Sequence, residues 1–171
     1  MRILVTALLS TAVLLGSSCG KERKDDSRDR RFVSFKLDNK IYLSKDPKGI
    51  IHAPNFTDDD PLNDYPKMEI SGQTYSGDLI SLTLVAPVLP FKPGIYPCSK
   101  QGNSIIMVTN SNMPATLASG GSNSCFITIS RIDNVNVEGS FSGPLRDISS
   151  ISGSRTVRDG AFRAIITTIS Q

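Results

Sequence analysis

Cys125-Phe126-Ile127-Thr128-Ile129-Ser130-Arg131-Ile132-Asp133-Asn134-Val135-Asn136-Val137-Glu138-Gly139-Ser140-Phe141 decides the fold class. Cys125, Ile127 and Ile129 alternate with Phe126, Thr128 and Ser130. A period of two sends successive side chains to opposite faces of an extended chain, so this is a half-buried strand. Asp133-Asn134 supplies turn chemistry. Val135, Val137, Gly139, Phe141 and Leu145 then share one face of a second strand. Two such runs around a short polar turn read as an antiparallel hairpin.

The same grammar extends in both directions. Toward the N-terminus lie the apolar run Ile105 to Thr109, the short piece Ile95-Tyr96 after Pro93-Gly94, the alternating Ile80, Leu82 and Leu84, and the pair Met68 and Ile70. Val33, Phe35 and Leu37 share a face in Phe32 to Leu37. Asp38-Asn39 follows where a two-residue turn would sit, and Ile41 to Leu43 is the return strand. Toward the C-terminus, Asp159-Gly160 reads as a third turn and Ala161 to Ile169 as a closing strand. No stretch holds a helical period. About nine strands with turn-rich connections predict an all-β antiparallel β-sandwich, with a β-barrel as the alternative. The roughly 140 residues of 32–171 suit one domain.

The N-terminus has a different composition. Met1-Arg2, an apolar run from Ile3 to Leu15 and then Gly16-Ser17-Ser18-Cys19 are the three parts of a secretory signal. The run is short of the roughly 20 residues a spanning helix needs. Residues 1–18 are therefore read as a lipoprotein signal peptide. Leu15-Gly16-Ser17-Ser18-Cys19 resembles a bacterial lipobox of the looser kind found in Bacteroidetes lipoproteins, with Leu15 one position further from the cysteine than usual. The resemblance implies that Cys19 is acylated. Each buried methylene of an acyl chain contributes about 0.8 kcal/mol of membrane affinity, so two or three chains hold a domain stably.

Charge divides along the chain. Nineteen basic and sixteen acidic residues give a net +3. Arg2 belongs to the signal, residues 20–31 hold six basic and four acidic side chains, and 32–171 holds twelve of each. The excess belongs to the segment after Cys19. That segment lacks large apolar residues and reads as a charged, flexible tether, 19–31 with its cysteine. A neutral domain has no basic, aromatic-laced face, so no nucleic-acid partner is expected.

With Cys19 acylated, Cys98 and Cys125 are left. Outside the cytoplasm two such thiols in a small domain commonly pair, and a Cys98–Cys125 disulfide is expected; the alternative is two free buried thiols.

Phe126 to Asp133, Val137-Glu138-Gly139-Ser140-Phe141-Ser142-Gly143-Pro144-Leu145 and Val157-Arg158-Asp159-Gly160-Ala161-Phe162 together resemble the C-terminal half of a family of small Bacteroidetes lipoproteins with a domain of unknown function. Phe35 to Ile41 and Pro93-Gly94-Ile95-Tyr96 extend the likeness over most of 32–171. The resemblance implies a β-sandwich lipoprotein and supplies no catalytic residues to carry over.

The chemistry-bearing residues are few. His52 is the single histidine, in a proline-rich stretch with no nucleophile elbow near any serine. One histidine is too thin an inventory for zinc. Glu69 and Glu138 are the glutamates of the domain. No catalytic residues, metal or cofactor are therefore expected. Ser44 to Lys67 reads as a long irregular loop, and such loops are often functional. It carries Asp58, Asp59, Asp60, Asp64 and Tyr65, which form the candidate ligand loop. Its oxygen atoms suit calcium in kind, but the EF-hand spacing is absent, and a solvated acidic loop is the plainer reading. With no Trp in the chain, Tyr65 is the tyrosine best placed to offer an exposed ring. The expected function is a lipid-anchored protein of the bacterial cell envelope, on the outer membrane, that binds a ligand without turning it over, a glycan being the leading class. The alternative is an accessory subunit docking to another envelope protein.

Overall fold

Val33, Phe35 and Leu37 point inward and are buried, as their spacing requires. They belong to β1 (Phe32–Leu37). The structure is a computed structural model and describes residues 30–57, 61, 63–100, 102–149 and 153–169. The signal segment, Cys19, residues 20–29 of the tether and Asp58 to Asp60 lie outside the described residues. Asp38 and Asn39 take φ of 50° and 64°, the left-handed pair that a two-residue hairpin turn demands. They return the chain into β2 (Lys40–Lys45) in the register Leu37↔Lys40 to Phe32↔Lys45.

Nine more strands follow among the described residues. They are β3 (Lys48–His52), β4 (Lys67–Gln73), β5 (Leu79–Val85), β6 (Gly94–Pro97), β7 (Ser104–Val108), β8 (Thr116–Ala118), β9 (Phe126–Ile132), β10 (Asn136–Asp147) and β11 (Arg155–Ile169). The fold is all-β. One layer runs β2-β1-β11-β10-β9-β6 and the other β3-β4-β5-β7-β8. Two long strands join the layers. β11 lies between β1 and β10 as far as Ile165, and from Ile165 to Ile169 it pairs with β3. The end of β10 crosses to β8 through Arg146↔Ala118 and Asp147↔Leu117. This second junction is only two residue pairs wide, so the arrangement is a pair of packed layers and not a clear barrel.

Four expectations are corrected. Eleven strands replace about nine, because β3 and β8 form inside stretches whose composition reads as loop. The sheet is mixed, since β3 and β11 run parallel. Ser44 to Lys67 is not one irregular loop; β3 occupies its first part. Asp159-Gly160 is not a turn. β11 runs straight through it with one extra residue opposite both neighbours, between Ser34 and Lys36 on β1 and between Phe141 and Gly143 on β10. Asp159, at φ 51°, sits in a β-bulge, which uses the same left-handed backbone as a turn.

A single apolar cluster lies between the layers. Phe35, Ile127, Val137, Phe141 and Phe162 from the first layer meet Met68, Ile70, Ile80, Leu82, Leu84 and Ile105 from the second. Burying each such side chain stabilises the fold by roughly 1.5–3 kcal/mol. Among the described residues the sheet ends at β2, which carries Lys40 and Lys45, and at the four-residue β6, preceded by Pro93 and ending in Pro97. β2 is partly covered where Ser44 bridges to Thr74 and the Tyr75 N–H donates to the Leu43 carbonyl at 3.1 Å. Short, lysine-bearing or proline-bearing edges resist pairing with other chains.

Asp78 is the buried carboxylate of the β4–β5 turn. It accepts hydrogen bonds from the Asn110 N–H at 2.8 Å, from the Thr74 hydroxyl at 3.2 Å and from the Ser76 hydroxyl. Burial alone would raise its pKa, but the hydroxyl of Ser76, the amide of Asn110 and the hydroxyl of Thr74 together outweigh it and hold the carboxyl below its ordinary value. A depressed folded value contributes stability above the unfolded pKa of about 4, and that contribution is lost as pH falls through the folded value. Asp78→Asn is expected to cost about 1–3 kcal/mol at pH 7 and distinctly less near pH 3 in denaturant titrations. An equal loss at both pH values would contradict this role.

Candidate functional site

β5 ends at Val85, whose N–H donates to Oδ1 of Asn103 at 2.7 Å. The same amide donates through Nδ2 to the Pro97 carbonyl at 3.1 Å. A buried Asn103 therefore ties the end of β5 to the end of β6 with both halves of its amide satisfied. Gly102 lies between, at φ 90°, and a Cβ there would reach the Val85 methyl at 2.5 Å. Both conditions select glycine. Next along the chain is Cys98, joined to Cys125 with Cα atoms 5.3 Å apart. The pair continues the β6–β9 ladder by one step, where Cys98 N–H also donates to the Cys125 carbonyl at 2.9 Å. Disulfide and amide together fix the 97–103 turn.

That turn forms one wall of an open hollow of about 490 Å³. Val85, Ala86 and Pro87 line the floor side and Pro61 and Tyr65 the other, with Lys100 and Asn103 from the turn. The Tyr65 side chain is about half exposed, at 53%. Lys100 has no ion-pair partner among the described residues. Among the described residues the arrangement offers an aromatic ring, aliphatic walls and one cation.

The sequence-predicted residues fall as follows. Tyr65 lines the hollow; Asp64, half-buried, does not. Asp58, Asp59 and Asp60 lie outside the described residues. The base of their loop is closed by the Asn55 N–H donating to the Asn63 carbonyl at 2.9 Å. Tyr42 and Tyr96 pack against the core, as strand tyrosines should. Tyr75, in the β4–β5 turn, is more exposed than Tyr65, at 74%. His52 ends β3, and its Nε2 lies 3.8 Å from Oε2 of Glu69, which also binds Lys67 at 2.9 Å. Glu138 meets Arg163 at 3.2 Å. Both glutamates of the domain are thus engaged in ion pairs on the strands. Among the described residues no three His, Cys, Asp or Glu side chains gather as a metal-ligand set. Lys100, Val85 and Pro87 were not singled out by the sequence, because nothing local marks them; the fold alone brings them to Tyr65.

No family model, curated protein or solved structure matches this chain. Among the described residues no helix is long and apolar enough to cross a membrane.

Proposed function

We propose that the chain is a lipid-anchored protein of the bacterial cell envelope whose β-sandwich binds a ligand without catalysing its conversion. The observation that supports binding is the half-exposed Tyr65 ring in an open, mostly aliphatic hollow with Lys100 in its wall. Concave, largely apolar sites with a few polar groups are where small ligands bind. A flat ring beside a cation suits a sugar, whose apolar ring face stacks on an aromatic and whose hydroxyls accept from the ammonium. The anchor rests on Ile3 to Cys19 and on the resemblance to Bacteroidetes lipoproteins; the outer membrane is the site this reading favours.

One experiment separates the two parts. Wild-type chain and Cys19→Ala are expressed in a Bacteroidetes host and fractionated, and both are applied to a glycan array. Wild-type protein is expected in the membrane fraction with incorporated acyl label, and Cys19→Ala in the soluble fraction without it. Equal membrane retention of the two would refute the anchor. Tyr65→Ala is expected to lose up to about tenfold in affinity for whatever the array captures, since an aromatic stacking contact is worth roughly 0.5–1.5 kcal/mol. Unchanged binding by Tyr65→Ala would remove the hollow from consideration.

A further inference from the structure

The β11 bulge carries more than a backbone irregularity. Asp159 holds a left-handed φ in the middle of a strand paired on both sides. Non-glycine residues in that region cost on the order of 1–3 kcal/mol, and bulges commonly re-aim side chains. Here the bulge places Arg158 and Asp159 side by side on the outer face of the first layer, both exposed. Asp159 is fixed by Lys36, whose Nζ donates to its Oδ2 at 2.8 Å. Arg158 has no hydrogen-bond or ion-pair partner among the described residues. Its guanidinium is a planar fork of donors that, after Lys36, helps hold the Asp159 carboxyl below its ordinary value.

Two shallow hollows meet at these two residues. One, of about 420 Å³, extends across β10 and β9 and is lined by Ser140, Ser142, Thr128 and Phe126. The other, of about 540 Å³, extends toward the β1–β2 turn, where Asp38 is neutralised by Arg155 at 3.4 Å. Register explains the first row. Ser140 lies opposite Thr128 and Ser142 opposite Phe126, so hydroxyls and an aromatic ring share one face in adjacent strands. The Phe126 side chain is exposed by more than a third, and Ile95 of β6, opposite Thr128, adds a second exposed apolar side chain to the same face.

We propose that this face binds an acidic oligosaccharide, with Arg158 on a sugar carboxylate, Phe126 stacked on a neighbouring ring, and Asp159, Ser140, Ser142 and Thr128 on hydroxyls. The charges select the anion. Lys36, Arg155 and Arg158 stand against Asp159 and Asp38, which leaves one positive charge over in the groove. An arginine fork binds a carboxylate through two parallel hydrogen bonds. The face lies on β9, β10 and β11, whose backbone groups are taken by neighbouring strands. A peptide adding itself as an extra strand needs a free edge, which this surface lacks. Recognition therefore runs through side chains, the mode that suits a polyhydroxylated chain. This groove is separate from the Tyr65 hollow and stands or falls without it.

The test uses the full chain on an array of matched glycans, uronate-bearing, sialylated and neutral, with affinities of captured glycans measured by calorimetry. Acidic glycans are expected to bind and their neutral counterparts to bind at least tenfold more weakly. Arg158→Ala is expected to lose about tenfold or more for acidic glycans and little for neutral ones. Phe126→Ala should weaken both classes alike. Both side chains are at the surface, and unchanged circular dichroism and melting would confirm that the variants fold. Capture of no acidic glycan overturns the proposal. So does an affinity that is unaffected by Arg158→Ala, or one that falls only with Tyr65→Ala and so belongs to the hollow.

Discussion

Gly139→Ala is expected to lower the unfolding free energy by about 3 kcal/mol, among the larger effects of adding one methyl group to this chain. Gly139 lies on β10 opposite Phe162 of β11 and Ile129 of β9. A Cβ there would run into the Thr128 carbonyl oxygen and reach the Phe162 ring at 2.5 Å. The first obstacle is backbone and cannot rotate away. The second is a buried ring that also packs toward Phe141, with centroids 6.4 Å apart. The glycine leaves a gap in the strand face and the phenylalanine covers it. The two positions should therefore be coupled. In a double-mutant cycle, Gly139→Ala is expected to cost less in a Phe162→Ala background than in the wild type. Additive losses would show that the methyl group is resisted by Thr128 alone. A loss below about 0.5 kcal/mol by denaturant titration would mean that the strand yields more easily than its contacts imply.

Removing the disulfide is expected to cost a similar amount by a different route. Cys98→Ala with Cys125→Ala should lower stability by about 3–4 kcal/mol, from the chain-entropy relation for a closed loop of this length. Cys98 and Cys125 are 27 positions apart and both are buried. The loop they close contains β7 and β8, so the constraint acts across both layers. Gly143, at φ 146°, approaches Cys125 so closely that a Cβ would meet its Cα at 2.5 Å. The bridge thus sits under a glycine that leaves it room. Peptide mapping without reductant should recover residues 98 and 125 in one linked fragment. Two alkylatable thiols in the folded protein would refute the pairing.

Those features were unequally legible in the sequence. The β1–β2 hairpin was written locally, since alternation, Asp38-Asn39 and alternation again leave few other conformations. β3 was not. Lys48-Gly49-Ile50-Ile51-His52 is short, holds a glycine and lies between Pro47 and Pro54. It is a strand because β11 and β4 flank it, the first distant in sequence and the second reached only across the proline-bearing segment after His52. β8, three residues in a run of Ser, Asn and Gly, is drawn out by β7 just before it in the chain and by the end of β10. Asp159-Gly160 shows a subtler limit. Its chemistry correctly marked a left-handed backbone, but a turn and a bulge demand the same φ, and only neighbours on both sides distinguish them. The candidate site follows the same rule. Tyr65 could be picked as an exposed ring, whereas Lys100 and Pro87 carry no local signal. Arg158 was hidden for the reason that Asp159 was misread: beside a supposed turn, an arginine is ordinary.

The long β11 also sets the order in which this chain can fold. β1 and β2 can pair as soon as they exist, yet the inner neighbour of β1 arrives late: Leu37 meets Val157 and Phe32 meets Arg163. Until then one edge of the first hairpin is an open template. Closing so distant a pair costs loop entropy before any contact repays it, which places the domain among slow, high-contact-order folders. A chain emerging N-terminus first keeps both layers unfinished until its last strand is free. Timing, as much as energy, is thus concentrated in the residues from Arg155 to Ile169.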